Sequence, residues 1–206
     1  MDGIINQFVL LFTLIDPIGS VPVFIAVVAR TNPALRRRIA IRSVAIAGGV
    51  LLFFIVAGQL LIELLQINLA AFRLAGGVIL FLLAMDMIFG ESKPDHDKAE
   101  ANRAEAESLD LAVYPMAIPS IAGPGAILAV VVLTDNNRYT FLQQASTALI
   151  VGVVLLLVLA CLLMATRIHK LIGDAGASVV SRVMGMITAA IAADMILAAI
   201  DTYYLK

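Results

Sequence analysis

The stretch "LLFTLIDPIGSVPVFIAVV", Leu10 to Val28, is apolar almost throughout, yet Asp16, Pro17 and Pro22 interrupt its middle. Nineteen residues of this kind match the thickness of a bilayer, which an α-helix crosses in about 17–25 residues. The surrounding chain supports that reading. It is 62 % hydrophobic and 14 % charged, with a mean hydropathy of +1.02. Soluble domains are about 45–50 % apolar and about 25 % charged, so most of this chain has no wettable surface to offer. The interruption is therefore read in the context of a membrane.

Six stretches are long and apolar enough to span: Gly3–Ala29, Ser43–Ile62, Leu74–Gly90, Leu111–Thr134, Tyr139–Thr166 and Val183–Ile200. Their apolar runs are continuous, unlike the alternating strands of a membrane barrel, so an all-α membrane protein is expected. The segment before the first span lacks the basic start of a secretory signal, and the first span is expected to be retained. Basic residues divide eleven to three between the two sets of connections, with Arg30, Arg36, Arg37, Arg38 and Arg42 together after the first span. Positive-inside bias then places connections one, three and five in the cytoplasm and both termini outside. The longest connection, residues 91–110, mixes seven acids with three bases and reads as a solvated linker. His96 and His169 fall in cytoplasmic connections, without the neighbours that a metal or general-base role needs. The lone Cys161 lies in an apolar run and reads as packing.

The interruption occurs twice. Pro17 and Pro22 are five apart, as are Pro119 and Pro124 in "IPSIAGPGA" of the fourth span, at an offset of 102 residues. Spans three and six share Arg-x-x-Gly near their starts (Arg73–Gly76, Arg182–Gly185), and "MDMI" (Met85–Ile88) is echoed by "ADMI" (Ala193–Ile196). Each half, 1–90 and 111–206, holds three spans. Because three is odd, the second half enters the membrane from the opposite side: an inverted repeat, with spans one and four broken at the midplane. Paired Pro/Gly-interrupted segments point to a substrate site between the halves in secondary transporters.

Proline removes an N–H and frees carbonyls, which hydrocarbon cannot satisfy, so both breaks are expected to face the protein interior. Ser20 and Gly123, before Pro22 and Pro124, have the chemistry of N-caps for the second half-helices, whose N–H groups suit a carboxylate. Carbonyls released near Ile15 and Ile118, together with Asp16, suit an ammonium group. The expected ligand is a small zwitterion, because Gly19, Gly123 and Gly125 let backbone approach closely. Pro17, Pro119, Ser120 and Pro124 complete the expected site. Asp16 has no counterpart in span four. A lone carboxylate at that depth is costly when charged, so it is expected to bind a proton or a cation and to couple transport, alongside a local reading as a cap on the broken helix. Asp86 and Asp194, near the far ends of spans three and six, are read as interfacial caps, and Arg73 and Arg182 as snorkelling residues.

On "IDPIGSVPVF" (Ile15–Phe24), "FRLAGGVILFLLA" (Phe72–Ala84), "MAIPSIAGPGAI" (Met116–Ile127) and "SRVMGMI" (Ser181–Ile187), the chain resembles the MarC/SnatA family of small prokaryotic membrane proteins over essentially its whole length. Ser20 stands where asparagine is frequent in that family. The resemblance implies six membrane helices in two inverted halves, a place in the cytoplasmic membrane, and movement of small neutral amino acids such as glycine and alanine. Proton or sodium are the candidate coupling ions, and the lipid bilayer is the other partner. No cofactor and no nucleic-acid partner are expected. A different class, a passive channel or exporter of other small solutes, would not need Asp16 for accumulation. An enzyme is not expected, since no HExxH, GxSxG or comparable pairing lies on a span.

Overall fold

The computed structural model describes residues 2–28, 31–90, 110–136 and 138–204. The connection expected at 91–110, apart from Asp110, lies outside them. Seven helices and no strand occur among the described residues: α1 (Asp2–Ile15), α2 (Ser20–Val28), α3 (Pro33–Leu64), α4 (Leu69–Phe89), α5 (Ala112–Ile121), α6 (Pro124–Leu133) and α7 (Phe141–Tyr204). Five spans are long and apolar enough to cross a membrane, or six if α5 and α6, bent by 55° at their junction, count as one.

Local chemistry sets the ends. Asn32 caps α3, its Oδ1 accepting the Leu35 N–H at 2.8 Å, and Pro33 occupies the first turn where its missing N–H costs nothing. Asn68 caps α4 in the same manner, accepting from Ala70 at 2.8 Å. The second span was expected from Ser43 to Ile62, but α3 begins ten residues earlier and carries Arg36, Arg37, Arg38 and Arg42 in helical turns. Hydropathy locates hydrocarbon, whereas the cap locates the helix.

Spans five and six were expected to be separated by a connection through Arg167 and Arg182. Instead helix runs from Phe141 to Tyr204 and breaks only at Gly173, whose φ of 66° is the left-handed conformation that glycine adopts freely. The polar stretch between the two spans is thus helical on both sides of one break.

The packing separates lipid-facing from interior surface. Along the first limb of α7, Val151, Val154, Leu155, Val158, Leu162 and Ala165 are buried, while Leu149, Leu156 and Leu163 are exposed on the other side. This three-to-four-residue spacing gives one inward stripe. α6 packs against α1, α3, α4 and α7 at the centre and is buried over most of its length. α4 and the second limb of α7 approach closely at two glycines. A Cβ at Gly77 would stand 2.9 Å from Ile196 Cγ1 and 3.2 Å from the Ala192 carbonyl; one at Gly185 would stand 2.9 Å from Ile88 Cγ1 and 3.1 Å from the Ala84 carbonyl. Gly77 meets the later part of its partner and Gly185 the later part of α4, so these helices run in opposite directions.

Candidate functional site

α1 ends where Asp16 takes φ 50°, a left-handed conformation that aspartate tolerates better than most non-glycine residues. The Asp16 N–H still closes the last turn on Phe12 at 3.0 Å. Its carboxylate then folds over the following turn, Oδ1 accepting the Gly19 N–H at 2.8 Å. The Asp16 carbonyl accepts both the Ser20 N–H at 3.0 Å and the Ser20 hydroxyl at 2.9 Å. Four residues thus leave the helix with much of their polarity satisfied locally. A Cβ at Gly19 would collide with the Asp16 carboxylate, which explains why this turn requires glycine. Ser20 does not cap forward as expected: it is the first residue of α2 and its hydroxyl points back to Asp16. Asp16 is buried, and among the described residues it forms no ion pair.

The second interruption is built differently. Tyr114 and Ile118 are extended within α5, each preceding a cis-proline, Pro115 and Pro119. A residue before proline is disfavoured in helical conformation, which accounts for both. The helix turns widely here, with Ala122 N–H donating to the Ala117 carbonyl five residues back at 2.8 Å. Gly123 is the N-cap of α6 and Pro124 its first residue, as expected. A Cβ at Gly123 would lie 2.7 Å from the Pro119 carbonyl, so the backbone doubles back closely at this point.

The two interruptions meet. α2 packs on α5, and the Ser20 and Ser120 hydroxyls face each other at 3.5 Å. Beside them lies a cavity of about 180 Å³. Water occupies about 30 Å³ per molecule in the liquid, so this space suits a ligand of a few heavy atoms and not a drug-sized one. Asp16, Gly19, Ser20, Pro119, Ser120 and Gly123 line it. The other expected site residues do not: Ile15 and Pro17 are buried, Ile118 is 39 % exposed and Pro124 is half-buried. Gly125 is a packing glycine, where a Cβ would stand 2.9 Å from Leu80 Cδ2 and 3.2 Å from Leu14 Cδ2.

The remaining wall comes from residues the sequence reading left out, several of them on spans three and six. Thr13 of α1, Leu80, Leu83, Asp86 and Met87 of α4, Pro115 of α5, and Ser181 and Thr188 of α7 also line the cavity. Asp86 was expected as an interfacial cap; its carbonyl does accept the Gly90 N–H, and the residue, exposed near the end of α4, also contributes to the cavity wall. Asp194, whose sequence context echoes that of Asp86, instead lies in a broad outer groove formed by α7 residues alone. The resulting site has carboxylates, hydroxyls and a helix N-terminus around one small space, with apolar side chains between them.

A family model described as MarC family integral membrane protein matches residues 1–204. The chain belongs to the MarC family. Among MarC relatives, the UPF0056 inner membrane protein YhgN of Escherichia coli K12 is 32 % identical over 200 residues, covering 96 % of this chain and 95 % of the relative. A UPF0056 membrane protein of Archaeoglobus fulgidus is 31 % identical, covering 92 % and 88 %. YvbG of Bacillus subtilis, also named a UPF0056 membrane protein, is 30 % identical, covering 94 % and 92 %. Relatives named UPF0056 membrane proteins thus occur in bacteria and archaea and match nearly the whole of this chain. No solved structure matches the chain.

Proposed function

We propose that this MarC protein is a secondary transporter of small neutral amino acids, glycine and alanine, in the cytoplasmic membrane. In this reading its two halves form an inverted repeat and spans one and four are broken at mid-membrane. The observation that carries it is the meeting of two separate interruptions, Asp16–Gly19 and Pro115–Gly123, at one cavity of about 180 Å³. The carboxylates of Asp16 and Asp86 suit an ammonium group, and the N-terminal turn of α6 at Gly123–Pro124 suits a carboxylate. A small zwitterion satisfies both. The reciprocal approaches at Gly77 and Gly185 support the inverted repeat, because two equivalent helices related by such symmetry meet antiparallel. The name of YhgN, an inner membrane protein, supports the location. Asp16 is assigned the coupling role for a proton or cation, in addition to holding its turn.

The direct test is counterflow of labelled glycine and alanine in proteoliposomes. Exchange of both is expected, with net accumulation when a pH or sodium gradient is imposed. No exchange of either amino acid would overturn the substrate assignment; exchange without accumulation under any gradient would favour a passive pathway.

Orientation follows from the basic residues. Val23, Met87, Pro115 and Ser181 put the cavity on the side of the arginine-rich connections. Positive-inside bias makes that side cytoplasmic. In a Cys161→Ala background, Arg37→Cys is expected to react with a membrane-impermeant thiol reagent only when the cytoplasmic face is exposed. Labelling from the outside of intact cells would reverse the topology.

A further inference from the structure

Five hydroxyl side chains are buried among the described residues: Ser20, Ser43, Thr134, Thr147 and Thr188. The first four each donate to the backbone carbonyl four residues back, at 2.9, 2.9, 2.7 and 3.1 Å. This is how a helix disposes of a buried hydroxyl. Thr188 is the exception. It is 5 % exposed, its Oγ1 is inaccessible and has no hydrogen-bond partner, and the residue belongs to the wall of the cavity between the two interruptions.

A buried hydroxyl that forgoes the available carbonyl loses the water it would have had in the unfolded chain and gains nothing in return. Its neighbours in the wall sort by charge. Asp16 and Asp86 repel an anionic group, while a hydroxyl can donate to one. We infer that Thr188 is a ligand-binding residue, its side chain turning about χ1 so that Oγ1–H donates to a carboxylate oxygen of the small zwitterion held in the cavity. The inference rests on the transport reading for the identity of that ligand, but not for the hydroxyl's lack of a partner. It makes the second limb of α7 a direct wall of the site, so that ligand occupancy is sensed by the sixth span as well as by the first and fourth.

The test compares Thr188→Val, which keeps the shape and removes the hydroxyl, with Thr188→Ser, which keeps the hydroxyl. Binding of labelled glycine to purified protein and the ligand-free thermal midpoint are both measured. Valine is expected to weaken glycine binding by about tenfold, the loss of one hydrogen bond to a charged group. Serine is expected to bind within about threefold of the parent, on the same reasoning. The ligand-free midpoint of Thr188→Val is expected to be unchanged or raised, since an unsatisfied polar atom has been removed. Equal glycine binding by the valine variant and the parent would overturn the inference. So would a lowered ligand-free midpoint, which would mean that the hydroxyl has a structural partner. If the parent itself binds neither glycine nor alanine, the transport assignment falls. The midpoint then decides Thr188 by itself: a fall removes it from the site, and no fall keeps it for a carboxylate of another class.

Discussion

Proteoliposomes carrying Asp16→Asn are expected to exchange glycine yet fail to accumulate it. Asparagine retains an acceptor for the Gly19 N–H, which Asp16 Oδ1 now holds at 2.8 Å, so the turn between α1 and α2 keeps its lock. An amide does not titrate and carries no charge for a cation to answer. One proton per substrate and one unit of pH gradient supply about 1.4 kcal/mol, which permits about tenfold accumulation. The variant is expected to bring that ratio to about one, with exchange reduced by less than about tenfold because the binding walls on α5 and α7 remain. Gradient-driven uptake at the parental level would show that the carboxylate only shapes its turn.

The second large effect is structural. Gly185→Val places a branched side chain where a Cβ alone would stand 2.9 Å from both Met87 Cβ and Ile88 Cγ1 and 3.1 Å from the Ala84 carbonyl. Backbone cannot rotate away as the tip of a side chain can, so α4 and α7 must separate. Overpacking of this kind costs about 1–3 kcal/mol, and the thermal midpoint is expected to fall by roughly 2–12 °C. Gly152→Ala is the control, since a Cβ there meets nothing within 4 Å. A drop as large in the control would mean that glycine content, and not the α4–α7 approach, governs stability.

The membrane-spanning character and the position of the first interruption were legible because both are local. Apolar runs report hydrocarbon, and Asp16, Pro17 and Gly19 can be accommodated in few ways within eight residues. The start of α3 was equally local, written in Asn32–Pro33, but a reading led by hydropathy began at Ser43. The helix through Arg167 was missed for the opposite reason. Polarity excludes a segment from lipid without excluding it from a helix, and nothing short of Gly173 breaks the pattern.

At the site, the residues found by sequence are those whose backbone is unusual: Asp16, Gly19, Ser20, Pro119, Ser120 and Gly123. Those missed, apart from Pro115, sit on regular helices, where only packing decides which face turns inward. Thr188 looks in sequence like any helical threonine, and its lack of a carbonyl partner exists only in three dimensions. Gly125 fails in the converse sense. Two residues beyond Gly123 on a helix, it is turned by about 200° and points into Leu80 and Leu14 instead of the cavity.

The burial of α6 sets the rhythm of any transport cycle. Leu128, Val130, Val131 and Leu133 are each less than 10 % exposed, and the helix has no polar face to turn toward water. Wetting those four side chains would cost roughly 1.5–3 kcal/mol each, on the order of 10 kcal/mol together. A passage that exposed α6 bare would therefore open in fewer than about one molecule in a million at any instant. Opening on the far side must carry α6 along with a companion helix, keeping its apolar contacts while another seam parts. The close fits of Gly58 on α3, where a Cβ would stand 2.6 Å from Val131 Cγ2, and of Gly125 against Leu80 on α4, at 2.9 Å, mark α3 and α4 as the helices that can serve as that companion. Cargo would then cross at the tempo of two helices moving as one, with the fastest step still the slide of a pair and never the flexing of a single strand of backbone.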